Sequence, residues 1–229
     1  MKSIIFDAST LISLSETCLI SALYFLRDQI SGKFYVTPAV QREIVSRPLG
    51  IRKLEFSAMR LNKLLDDRII EVIATPNLQA ETVRLLGLSN NLFYVNGSPL
   101  QLLQAGEAEC VASFEGASIT AMAADEKTVR QLIEAPLEFS KQIAGEYSGR
   151  VQVDDGNLAL WRKATNHIKT IRSSELLAVA AGKGFFKDYG AASGEARTAA
   201  VYALRNAGCS LSQSELVEFE GLDGKRNSE

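Results

Sequence analysis

Histidine is almost missing from this chain: His167 is the only one in 229 residues. That scarcity mostly closes off Ser-His-Asp triads and Cys-His dyads, which would all have to use His167, and metal sites built on several imidazoles. Cysteine is scarce too. Cys18, Cys110 and Cys209 are odd in number, far apart and set in apolar or helical surroundings. They form neither a zinc pattern nor a disulfide framework, and they suit a reducing, cytoplasmic setting. No run reaches the roughly 18 apolar residues of a membrane span, so no membrane association is expected. Met1-Lys2 leads straight into an apolar stretch with no small-residue cleavage site after it, so no signal peptide is expected. Surplus positive charge is also lacking, with a net charge of −2 and a pI near 5.7. Any contact with nucleic acid must therefore use a local patch rather than a global field. What is left for chemistry is carboxylates.

The length fits one large domain or a core with a substantial insertion. A 46% apolar and 23% charged composition argues for a folded chain. Strand-like and helix-like periodicities alternate, which predicts an α/β fold with a parallel sheet covered by helices. The first strand is Ile4-Ile5-Phe6, followed by a helix over 10–30 that Gly32 ends. Lys33 to Val36 reads as the second strand. Thr37-Pro38 then opens a short helix, with Thr as N-cap and Pro at its first position. Further helices are expected over 50–67, 77–88 and 99–115, with a possible strand from Ile69 to Ile73 and a loop over 90–99. Ser118 to Ala124 is a strand ending at Asp125. From 126 to 172 the pattern is mainly helical, broken at Gly149 and at Asp154-Asp155-Gly156-Asn157, a turn-like cluster without the full calcium-loop ligand set. Helices follow at 173–183, 193–207 and 212–220, the last with Ser212 and Glu215 as a capping box. The tail 221–229 is polar.

Asp7 stands directly after the first apolar strand. A carboxylate is costly to bury alone, so a cation partner is implied, a turn cap for the next helix being the bland alternative. Asp125 ends another strand, and in an open parallel sheet functional groups gather outside the carboxyl ends of the strands. Asp125 also suits an N-cap. Glu107 lies on the helix feeding the Asp125 strand, and Glu109 competes with it two positions on. Glu43 sits near the start of the helix after the second strand, where the helix dipole alone would favour an acid. Carboxylates drawn together repel one another unless a cation neutralises them. Mg²⁺ or Mn²⁺ takes all-oxygen ligands and activates water against a phosphodiester.

These segments resemble the motifs of the PIN-domain (PilT N-terminus) nucleases. Ile5-Phe6-Asp7-Ala8-Ser9-Thr10 is similar to the family's opening, and Val36-Thr37-Pro38-Ala39-Val40-Gln41-Arg42-Glu43 to its second acidic motif. Gly106-Glu107-Ala108-Glu109 and Ala124-Asp125-Glu126-Lys127 resemble the third and fourth. Leu176 to Gly184 and Leu204 to Gly208 resemble the C-terminal part of a prokaryotic subgroup related to toxin–antitoxin ribonucleases. The resemblance covers about 1–46, 100–130 and 173–218. It implies a three-layer α/β/α PIN-like fold, with helical insertions at about 47–99 and 131–172. It further implies catalytic, metal-binding roles for Asp7, Glu43, Glu107 and Asp125, with Ser9 supporting them and Mg²⁺ or Mn²⁺ as cofactor. Whether Glu109 or Glu126 joins the metal site stays open.

RNA, single-stranded or structured, is the partner the resemblance implies, with Lys127, Arg130 and Arg42 as candidate phosphate contacts. An antitoxin or other protein partner and a homodimer are further expectations. Arg42, Arg47, Arg52, Lys53, Arg60, Lys63 and Arg68 make one basic stretch. Lys141, Arg150, Arg162, Lys163, Lys169 and Arg172 make another, although basic helices are commonly solvated faces. Trp161 and His167 read as core or interface residues. A phospho-aspartate hydrolase would want an acid where Ser9 stands. A PIN-fold RNA-binding or scaffold protein with little nuclease activity is the competing reading.

Overall fold

A computed structural model describes residues 3–73, 75–146 and 151–224. Five parallel strands form the main sheet: β1 (Ser3–Phe6), β2 (Phe34–Val36), β3 (Ile70–Val72), β6 (Ile119–Ala123) and β8 (Thr170–Ile171), in the order β3-β2-β1-β6-β8. Ile5, Phe6, Phe34, Val36, Met122 and Ala123 are fully buried within it. Near-continuous apolar strands of this kind need cover on both faces.

The helices supply that cover in two packed groups. One comprises α1 (Ala8–Glu16), α2 (Ser21–Gln29), α4 (Arg52–Asp66), α10 (Ser173–Gly182), α11 (Ser193–Asn206) and α12 (Gln213–Gly224). The other comprises α3 (Pro38–Gln41), α5 (Leu78–Ser89), α6 (Ala105–Ala112) and α9 (Asp155–Thr165). The result is a three-layer α/β/α fold. Among the described residues no single helix is long and apolar enough to cross a membrane.

A small antiparallel sheet stands apart from the main one. It joins β4 (Phe93–Val95), β5 (Ser98–Pro99) and β7 (Val151–Val153) in the order β5-β4-β7. The two expected insertions therefore meet each other: 93–95 pairs with 151–153, and Phe93 packs edge-on against Phe139 of α8 (Pro136–Glu146), with centroids 6.1 Å apart. The rest of 47–72 supplies α4 and the edge strand β3 to the main body.

Three sequence expectations need correction. The helix expected over 10–30 is two helices, because Cys18 adopts a positive φ of 61°. The Leu19 amide reaches back to the Leu14 carbonyl there, which closes the first helix. The helix expected over 99–115 begins only at Ala105. Asn90 captures the preceding backbone, accepting from the Leu102 and Leu103 amides at 2.6 and 2.9 Å and donating to the Leu103 carbonyl. The loop expected over 90–99 is a hairpin, whose Asn96 and Gly97 hold the two positive φ angles of a tight turn.

The Asp154 cluster is an N-cap, with Asp154 Oδ1 accepting from the Asn157 amide at 2.9 Å. Trp161 is fully buried and donates to the Leu132 carbonyl, while His167 is exposed beside Phe114. Gly149, Arg150 and residues 225–229 of the expected tail lie outside the described residues.

Candidate metal-binding acidic site

The strand order reverses between β1 and β6, since the chain builds outward through β2 and β3 and then returns to the far side of β1. A crevice outside the carboxyl ends of the strands is the usual ligand position at such a reversal. Asp7 leaves the end of β1, and its amide donates to the Ala123 carbonyl at the end of β6 at 2.8 Å. Ser9 fixes the Asp7 carboxylate by donating to Oδ2 from both its hydroxyl, at 2.7 Å, and its amide, at 3.2 Å. The same hydroxyl accepts from the Asp125 amide at 3.0 Å, so Ser9 ties the two strand ends together. Asp7 is also the N-cap of α1.

Glu107 lies in the first turn of α6, buried, with Oε2 accepting from the Gln104 amide at 2.8 Å and Oε1 buried without a partner. Gly106 lets this helix approach the Glu43 segment. A methyl group at 106 would meet Glu43 Oε2 at 3.3 Å and Val40 at 3.6 Å. Glu43 itself sits in a π-helical turn, Arg42–Ser46, that follows the Thr37-capped, Pro38-initiated helix α3. Wide turns of this type are rare and recur at functional sites.

Glu126 is the residue that sequence reasoning left undecided. It stands just before α7 (Lys127–Glu134), exposed, and feels the charge of Asp7 while lying within hydrogen-bonding reach of Glu107. Asp7, Glu107, Glu43 and Glu126 thus lie near enough to feel one another's charge, Asp7 and Glu107 buried and Glu43 and Glu126 exposed, a loose acidic cluster or cup.

Each carboxyl is pushed above its ordinary range. Burial raises Glu107 to about 8, helped by repulsion from Asp7, Glu126 and Glu43 and opposed by the Gln104 amide. Burial also raises Asp7, with Asp125 adding repulsion and the Ser9 and Ala8 hydrogen bonds opposing. Glu43 and Glu126 are raised by partial burial and then by Asp7. Cys110 lies beneath the cup against the Phe6 carbonyl, its thiol pushed well up by burial, which makes it inert as a nucleophile.

The other candidates are placed differently. Asp125 is fully buried and both oxygens are taken, Oδ1 by the Ser173 amide at 2.7 Å and Thr10 at 3.4 Å, Oδ2 by the Ser173 hydroxyl at 2.7 Å. It anchors the start of α10, although it lies near enough to Asp7 to add to its repulsion. Glu109 accepts from the Ala39 amide at 2.7 Å and pairs with Arg42 at 3.8 Å, so it serves the start of α3. Lys127 lines a groove beside Glu107 and Glu126, and Arg130 has a buried Nη1 without a partner. Of the first basic stretch, Arg52, Arg60 and Lys63 are engaged with Glu55, the Ser15 carbonyl and Asp67. Arg172 of the second is buried between Glu175 and Glu215.

The donor set is all oxygen, which suits Mg²⁺ or Mn²⁺, and Glu107 Oε1 lacks a partner that a cation would supply. As they stand, no three His, Cys, Asp or Glu side chains among the described residues form a group that could hold a metal ion. Comparison with family models, curated proteins and solved structures returned no match.

Proposed function

We propose that this chain is a Mg²⁺- or Mn²⁺-dependent nuclease of the PIN-domain kind that hydrolyses RNA. The observation that carries the reading is the convergence of four carboxylates from four separate elements at the strand-order reversal, one with a buried, unpartnered oxygen. Asp7, Glu43, Glu107 and Glu126 would hold the metal, with Glu126 in the place that sequence position suggests for Asp125. A bound cation would supply a Lewis acid for the phosphate and lower the pKa of a coordinated water. The protein's own part is positioning. Ser9 holds Asp7 in one orientation, the Gln104 amide holds Glu107, and Gly106 admits Glu43 beside them. Mutual repulsion among the acids is relieved by the cation, which favours its binding.

Cleavage of a fluorescent single-stranded RNA with and without Mn²⁺ tests the proposal. Asp7→Asn, Glu107→Gln and Glu126→Gln should each lower the metal-dependent rate by about 10²-fold or more. Asp125→Asn should retain metal affinity in calorimetry. Full cleavage by Asp7→Asn would sink the nuclease reading. Mn²⁺ binding without any cleavage would favour a scaffold or RNA-binding role.

A further inference from the structure

Beside the acid cup runs a groove of about 670 Å³, walled by the 100–104 segment on one side and by α7 and α8 on the other. Its volume falls in the range of small-molecule sites. Glu107 and Glu126 are part of its lining, which makes it continuous with the acid cup. Two kinds of surface line the remainder. Phe139 and Ile143 make an apolar floor with Leu100 beside them. Polar side chains, several of them amides, make the other: Gln131 Nε2 donates to Gln142 Oε1 at 2.9 Å, and Gln142 Nε2 donates to Glu146 at 3.1 Å.

That chain of amides is incomplete. Gln131 Oε1 is buried and has no partner, a costly state unless something donates to it. Among the described lining residues Lys127 is the one cation, so the groove is not a track for a phosphate backbone. A flat, edge-reading ligand fits these features, with an apolar face to pack on Phe139 and Ile143 and an N–H to satisfy Gln131. Together with the nuclease reading, on which this step rests, we propose that the groove receives one unstacked nucleobase next to the scissile phosphate. Gln131 and Gln142 read its edge. A base in a duplex has that edge occupied and its faces stacked, so the groove selects single-stranded substrate with a base preference.

Saturation-transfer NMR with adenosine, guanosine, cytidine and uridine on the metal-free protein tests the groove without phosphate or catalysis. Wild-type protein should bind one or two nucleosides measurably more tightly than the others. Gln131→Leu and Gln142→Leu should each weaken the favoured nucleoside by about tenfold, since a site built on hydrogen bonds rejects poorly once one is removed. Asp7→Asn should leave that binding intact. The wild-type ranking needs no variant, so the test holds even if a leucine variant unfolds. Binding equal for all four nucleosides, no binding, or leucine variants that bind like wild type would overturn the assignment. RNA cleavage with no nucleoside binding would leave the nuclease reading standing and remove the groove. Selective nucleoside binding with full cleavage by Asp7→Asn would keep the groove and remove the acid cup.

Discussion

Asp125 accepts hydrogen bonds from Ser173 and Thr10, while Glu126 next to it is exposed and feels the charge of Asp7. Adjacent residues at a strand end point in opposite directions, and the chain uses one to hold the fold and the other to face solvent. Asp125→Ala should therefore act on stability, leaving the Ser173 amide and hydroxyl buried without an acceptor. The expected cost is roughly 3 kcal/mol in urea unfolding. An unchanged midpoint would contradict the anchoring role. Glu107 makes a different prediction. In metal-free buffer the native state keeps its proton to about pH 8, while the unfolded chain releases it near 4.5. The native state binds more protons in that window, so this group's contribution to stability falls as pH rises from 4.5 to about 8. Glu107→Gln should flatten the pH dependence of unfolding there. A slope that survives the substitution places the titration elsewhere.

Elements closed by local chemistry were legible in the sequence. Thr37-Pro38 opens α3 with the Thr37 hydroxyl accepting from the Val40 amide, and Ser212 with Glu215 caps α12 as their spacing predicts. Asp7, Glu43 and Glu107 were legible as site candidates because each falls at an element boundary on the same edge of the sheet. What could not be read depends on distant partners. That Asp125 is tied to the start of α10 requires knowing that Ser173 arrives 48 positions later. The late start of α6 depends on Asn90, and the strands of the small sheet depend on 93–95 meeting 151–153. The Asn96-Gly97 signal was present, but three-residue strands carry little pattern of their own. Asn90→Ala should free the 102–103 backbone. We expect a loss of about 2 kcal/mol and faster amide exchange at Leu102 and Leu103. Protection unchanged at both amides would show that Asn90 does not hold the segment.

Across the whole molecule, Arg172 links three parts of the C-terminal half, donating to Glu175 of α10, the Ser210 carbonyl and Glu215 of α12. Burial works against the Glu215 charge, yet the Ser212 hydrogen bonds and Arg172 hold it down at about 2. A depressed carboxyl contributes stability above its unfolded value, and that contribution is lost as pH falls from 4.5 toward about 2. Hydrogen exchange through that window should show α12 losing protection before the main sheet. Simultaneous loss would mean that Glu215 is not its fastening.

The central place of β1 has a consequence for how the chain is made. Ile4 pairs with Phe34 within thirty positions, but its other neighbour, Ala121, leaves the ribosome far later. Until then a growing chain carries a half-sheet with one raw apolar edge, the state most prone to mispairing. The strand that seals this edge also carries Asp125 and Glu126 to Asp7. A nascent chain thus acquires its acidic cup only when β1 gains its second neighbour, with the outer edge of β6 still waiting for β8.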